Sequence, residues 1–201
     1  MIWWSRVRAV QRLAAATALT IGLGLLLGDT ALPIPILTGQ AGTFLAGHLL
    51  TVLPAVVLMY GKERTDQRLE ATAARPVNRW DAGLAGLISA AAAAAAGLLY
   101  LLLGAETAIV TGRNISAYIG IAAVICAFSG PRGAALLTTA LPLGLAHTGW
   151  TPAGKAEVWA WLLHDAHSAT AMAATAITLT AGLASLWLRK WPVRLQNLHI
   201  L

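Results

Sequence analysis

The sequence predicts an all-α fold: a polytopic membrane protein of six transmembrane helices with both termini in the cytoplasm. Three observations carry that expectation. Of 201 residues, 58% are hydrophobic and only 11% charged, with a mean hydropathy of +0.70. Apolar runs of membrane-crossing length recur along the chain, and the basic residues fall at the ends of those runs. An ordinary soluble domain carries about a quarter charged residues. A soluble chain of this size could not hide so much apolar surface, whereas a bilayer removes the need to hide it. The length bounds the answer to a single transmembrane domain, 1–201.

A crossing helix needs about 20 predominantly apolar residues. The first candidate span is 9–28. It follows an amphipathic lead, 1–11, in which Trp3 and Trp4 beside Arg6 and Arg8 suit a helix lying among headgroups. The basic residues before an apolar run resemble a signal peptide, but no convincing small-x-small cleavage site follows, so an uncleaved first helix is expected. The remaining spans are placed at 42–60, 82–103, 113–129, 133–149 and 168–188, with a tight turn at Gly130, Pro131 and Arg132.

Orientation follows from the positive-inside rule. With the N-terminus inside, the inner segments carry Arg6, Arg8, Arg12, Lys62, Arg64, Arg68, Arg75, Arg79, Arg132, Arg189, Lys190 and Arg194. Only Arg113 and Lys155 of the fourteen basic residues fall outside. All eight tryptophans sit at segment ends, as an interfacial belt requires. The net charge of +6 is thus distributed for a membrane surface, and no nucleic-acid partner is expected.

The span at 113–129 is short for a bilayer core. Arg113 is expected to snorkel to the outer interface; the alternative is a helix starting near Thr107, which buries Arg113 and Asn114. His48 and His147 fall inside the second and fifth spans, each of which also carries a proline, Pro54 and Pro142. Proline frees backbone carbonyls within a membrane helix, so a common cavity or translocation path lined by these residues with Arg113 and Asn114 is a candidate site. The structural alternative is a pair of interhelical hydrogen bonds.

Other chemistry is discounted. The run 149–155 places Gly149, Gly154 and Lys155 as a phosphate loop would, but Ala156 stands where Ser or Thr should hold magnesium and the context is an outer turn. His164 and His167, with Asp165 and Glu157 nearby, lack any established metal signature. Ser168 beside them has no G-x-S-x-G context. Cys126 is alone and reads as a small core residue. No cofactor, metal ion or catalytic residue is assigned.

The inner segment 61–81 is the longest polar stretch between spans. Its centre is rich in helix formers, and Arg64, Arg68 and Arg75 recur at spacings of four and seven. Together with the lead at 1–11 and the amphipathic stretch 158–163 of the outer segment, this layout resembles the permease subunit of an ABC-2 type transporter. The resemblance covers nearly the whole chain as an architecture and rests on no short motif. It implies that Glu63, Arg64, Arg68, Glu70, Arg75 and Arg79 belong to a loop docking on a cytoplasmic ABC ATPase subunit. It also implies a second membrane subunit, identical or related, and export of a peptide, lipid-linked or antibiotic-type cargo. The composition and the stretch 112–132 also look like small membrane proteins of high-GC bacteria, which implies the bacterial plasma membrane. Two other classes stay open: a non-catalytic immunity or assembly protein, and a membrane-embedded enzyme.

Overall fold

The computed structural model describes residues 2–27, 30, 46–64 and 77–188. Within them the chain is helical, with no β-strand and a single isolated bridge between Trp150 and Ala156. The helices are α1 (Ile2–Val7), α2 (Val10–Leu27), α3 (Ala46–Leu50), α4 (Leu53–Glu63), α5 (Val77–Leu103), α6 (Glu106–Thr148) and α7 (Ala169–Leu188), with a 3-10 turn at Trp161–Leu163. Four of these, α2, α5, α6 and α7, are long and apolar enough to cross a membrane.

Helix boundaries follow local chemistry. Ala9 takes a positive φ of 51°, which ends α1 and turns the chain into α2. Pro54 stands in the first turn of α4, where its missing N–H costs nothing. From residue 46 onward the segment placed at 42–60 from sequence is thus two helices, α3 and α4, with Thr51 and Val52 between them. Gly104, at φ 65°, closes α5, and Ala105 opens α6 one residue later. The helix placed at 113–129 therefore begins at Glu106, which puts Arg113 and Asn114 two turns inside it.

The 43 residues of α6 would stretch about 65 Å if straight. They do not run straight. Gly130 breaks the helix at φ 75°, ψ 176°, a conformation essentially closed to other residues, and Pro131 follows it. The halves, 106–129 and 131–148, fold back on each other. Arg113 in the first half bonds the carbonyls of His164 and Asp165, while Gly149, just past the second half, lies against Leu163 and Ala160. One short segment thus meets both ends of the hairpin.

Side-chain pairs fix where the other helices end. At one end Arg8 and Lys62 meet Asp81, Glu63 meets Arg132, Trp4 meets Trp80, and Arg79 lies 5.1 Å above the ring of Trp187. We refer to this as the terminal end, because Ile2 and Leu188 both lie there. At the other, distal end, His48 meets Asn114 and Glu106 meets His167. The chain therefore passes between the two ends in alternation, through α2, α3–α4, α5, the two halves of α6, and α7.

The first half of α6 is the centre of the bundle. Every residue from Thr111 to Gly120 is buried, so this helix is covered all round. Small residues permit that. Gly120 and Gly182 bring α6 and α7 into backbone contact, and a methyl on Gly120 would stand 2.6 Å from the carbonyl oxygen of Thr178. The core around it gathers Leu13, Met59, Ile88, Tyr118 and Leu186 from five different passes. Leucines at 87, 98, 101, 102, 136 and 188 face outward, as apolar side chains can in lipid.

Candidate functional site

Two buried polar clusters sit at opposite ends of this apolar bundle. Buried polar and ionisable groups within a membrane protein pair with one another, and they mark function by default.

At the distal end, α6 presents Arg113 and Asn114 to the segment 149–168. This segment begins as a tight turn, with Thr151 N–H donating to the Lys155 carbonyl and Gly154 at φ 74°. No helix follows the turn directly, so the Gly149 to Lys155 run has none of the strand and helix framework of a phosphate loop. Leu162 and Leu163 are buried against the bundle, while Val158 and Trp159 point outward.

Arg113 is 5% exposed. Its Nη1 donates to the Asp165 carbonyl at 2.7 Å, its Nη2 to the His164 carbonyl at 2.6 Å, and its Nε to Asn114 Oδ1 at 3.3 Å. Of the two sequence expectations, the helix does start ahead of Arg113, at Glu106, and both Arg113 and Asn114 are buried. The side chain does reach toward the distal end, but backbone carbonyls of the folded-back segment receive it there.

Asn114 is fully buried. Its Nδ2 donates to the Leu162 carbonyl at 2.9 Å and to His48 Nδ1 at 3.2 Å. An amide nitrogen only donates, so His48 Nδ1 accepts and a neutral His48 carries its proton on Nε2. A cavity of about 50 Å³ adjoins this group, lined by Gly47, His48, Thr51, Thr107, Thr111 and Asn114 among others. It is roomy enough to hold water.

The candidate site residues thus divide. His48, Arg113 and Asn114 come together. Pro54 and Pro142 are buried elsewhere and do not line the cavity. His147 lies on an exposed face of the second half of α6, so it shares no cavity with His48. Proline placed on the same helices as the histidines proves to be a poor guide, because rotation around the helix axis decides which groups face one another. Glu106 pairs with His167 at 3.6 Å on the surface, with Tyr100 edge-on to the imidazole.

His164 uses both ring nitrogens. Nε2 donates to the Glu157 carbonyl at 3.0 Å, which leaves Nδ1 to accept from the Ser168 hydroxyl at 3.1 Å. Ser168 in turn accepts from Ala171 N–H, the arrangement of a helix N-cap. Among the described residues no cluster of three or more His, Cys, Asp or Glu side chains could hold a metal ion.

At the terminal end the sequence reading missed a cluster. Arg8 grips Asp81 with two bonds of 2.7 Å, and Lys62 Nζ reaches the same carboxylate at 2.6 Å. All three are almost fully buried. Gly61 allows it: any side chain there would strike the Arg8 carbonyl oxygen. One signal in the sequence pointed this way. Asp81 directly precedes an apolar run, where an acid that turns inward has to be paired.

Of the residues assigned to a docking loop, Glu63 is in α4 and pairs with Arg132 at 2.6 Å, and Arg64 caps α4 beside the Tyr60 ring. Arg79 is in α5 over Trp187. Arg68, Glu70 and Arg75 lie outside the described residues.

Comparison of the chain with protein-family profiles, curated proteins and solved structures finds no match.

Proposed function

We propose that the chain is a multi-pass protein of the bacterial plasma membrane. It crosses six times, with both termini in the cytoplasm, and serves as the membrane subunit of an ATP-driven, ABC-2-like exporter. Length supports six crossings. The hydrocarbon core is about 30 Å thick, so the about 65 Å of α6 suits two crossings and not one. Across 46–63, α3 and α4 give about 27 Å, close to one crossing. Charge supports the orientation, since Arg6, Arg8, Arg12, Lys62, Arg64, Arg79 and Arg132 all gather at the terminal end.

The observation that carries the transport reading is the Lys62–Asp81–Arg8 cluster. Lys62 and Asp81 stand at the two stems of the segment 64–77, where an ATPase would dock. Arg8 ties both stems to the start of α2. Through this cluster a movement of either stem is shared among the start of α2, the end of α4 and the start of α5. ATP hydrolysis belongs to a separate partner chain, and a second membrane subunit completes the path for a peptide, lipid-linked or antibiotic-type cargo.

A second reading is favoured by the distal end. There the polar groups satisfy one another around a cavity of about 50 Å³. Polar groups that bond one another in this way suit a non-transporting immunity or assembly protein.

A mild-detergent pull-down of the tagged protein, with mass spectrometry and an ATPase assay, separates the two. A stoichiometric nucleotide-binding subunit, lost when Arg64, Arg68 and Arg75 are changed to Glu, supports the exporter. Recovery of the chain alone, without ATPase activity, overturns it.

A further inference from the structure

One outward strip of the bundle departs from the leucine-covered surface around it. On α7, residues Ala176, Ile177, Thr180, Ala181 and Ala184 line a shallow apolar groove. The Thr180 hydroxyl donates back to the Ala176 carbonyl, so it offers the groove no free hydrogen. At about 1.5 Å of rise per residue, Ala184 lies one turn from Trp187 and Ala176 about 16 Å from it. Half of a hydrocarbon core is about 15 Å thick. The groove therefore runs through the depth of one leaflet, starting from the terminal end.

A cation stands at the head of the groove. Arg79, at the start of α5, lies 5.1 Å above the ring of Trp187. Trp187 is half exposed, and the exposed positions 173, 176, 180, 184 and 187 follow one another at helical spacing, so ring and groove share the outward side of α7. A guanidinium lying over a ring keeps its N–H edge open. Among the described residues no carboxylate takes that edge. Asp81 is turned inward to Arg8 and Lys62, and Glu63 pairs with Arg132. Trp80, beside Arg79, is also exposed, and indoles gathered in this way mark headgroup depth.

We propose that Arg79, Trp187 and the α7 groove form a binding site for an anionic phospholipid of the leaflet at the terminal end. The lipid phosphate takes the guanidinium edge, because two phosphate oxygens match the planar fork of arginine. One acyl chain lies along residues 176–184. Charge separates this occupant from the other natural one, a helix of a second copy. Two copies in one membrane share an orientation, so a two-fold pairing through α7 brings both Arg79 side chains to one level of one interface. Like charges set against each other oppose that pairing, whereas an anionic headgroup is attracted. The inference needs only a bundle embedded in a bilayer and does not depend on an ATPase.

The full chain is purified in mild detergent, stripped of lipid and titrated with dioleoylphosphatidylglycerol or dioleoylphosphatidylcholine, with bound lipid read by native mass spectrometry. The two lipids share their chains and differ in headgroup charge. The expected result is phosphatidylglycerol held roughly fivefold or more tightly than phosphatidylcholine. Arg79→Gln should bring the two lipids close to equal. Ala184→Phe, which fills the groove, should weaken both. Each of these positions is exposed, so both variants should melt like the parent. Arg12→Gln removes an exposed arginine of the same end and should keep the preference. A parent without preference overturns the proposal, as does a preference that survives Arg79→Gln or falls equally in Arg12→Gln. A lipid-free dimer that Ala184→Phe breaks assigns the groove to a second copy and overturns it as well.

Discussion

Arg8 and Asp81 are 73 residues apart in sequence and share two hydrogen bonds of 2.7 Å inside the terminal end of the bundle. Lys62 completes the cluster on the same carboxylate. This one acid holds two cations, so its loss is felt twice.

Asp81→Ala should destabilise the protein by about 3–5 kcal/mol, because two buried cations lose their shared partner. Thermal melting in detergent checks it. A joint replacement of Arg8, Lys62 and Asp81 by apolar residues of similar volume should recover most of the loss. Failure of that recovery would mean that the cluster does more than neutralise itself.

The Glu63–Arg132 pair offers a contrast. Its bond is as short, at 2.6 Å, but Arg132 is 83% exposed. Glu63→Gln should cost less than about 1 kcal/mol in the same melt, and the cost should shrink in high salt. An effect as large as that of Asp81→Ala would show that this end is shielded from water by something else.

Asn114→Ala removes both donors of a buried amide and leaves the Leu162 carbonyl unpaired. A loss of about 1–3 kcal/mol is expected. The 149–168 segment should become more sensitive to a protease supplied from its own side of the membrane. An unchanged digestion rate would argue that Arg113 alone holds the segment.

Gly120→Leu should abolish correct packing of α6 against α7, since even a methyl there meets the Thr178 and Leu179 backbone. Overpacking at such a site costs about 1–3 kcal/mol where it is tolerated at all. Gly83→Leu, on an open face of α5 where an added Cβ meets nothing within 4 Å, should melt like the parent. Equal behaviour of the two variants would refute the packing account.

The proposed orientation is checked in intact cells with a Cys126→Ala background. Lys155→Cys should react with a membrane-impermeant maleimide at once, and Arg132→Cys only after permeabilisation. The reverse pattern places the termini outside.

Composition made the helical, membrane-compatible class legible, because 58% apolar content leaves few other solutions. Gly130 and Pro131 were legible for a local reason, since the pair breaks a helix wherever it stands. Helix starts were less so. The sequence leaves Arg113 either at the edge of a span or inside a helix starting near Thr107, and only the fold-back of residues some 50 positions later supplies its acceptors. The Arg8–Lys62–Asp81 cluster was hidden in the same way. Each member looked like an ordinary charge at the end of an apolar run, and nothing local says that three such ends coincide. His48 and His147 were linked by their matching context, yet which way a helix faces is settled by its neighbours.

The order in which the chain emerges from the ribosome gives the Arg113 arrangement a temporal side. Asp165 is made 52 residues after Arg113. At about 5–20 residues per second, the arginine waits roughly 3–10 seconds for its acceptors. During that interval the first half of α6 should be a poor lipid segment, since its guanidinium has no acceptors from the later segment. Nascent chains arrested shortly before His164 should therefore hold this helix near the aqueous edge of the insertion machinery, and chains arrested beyond the segment should release it into lipid. On this account the residue that secures the finished distal end should, for those seconds, delay its assembly.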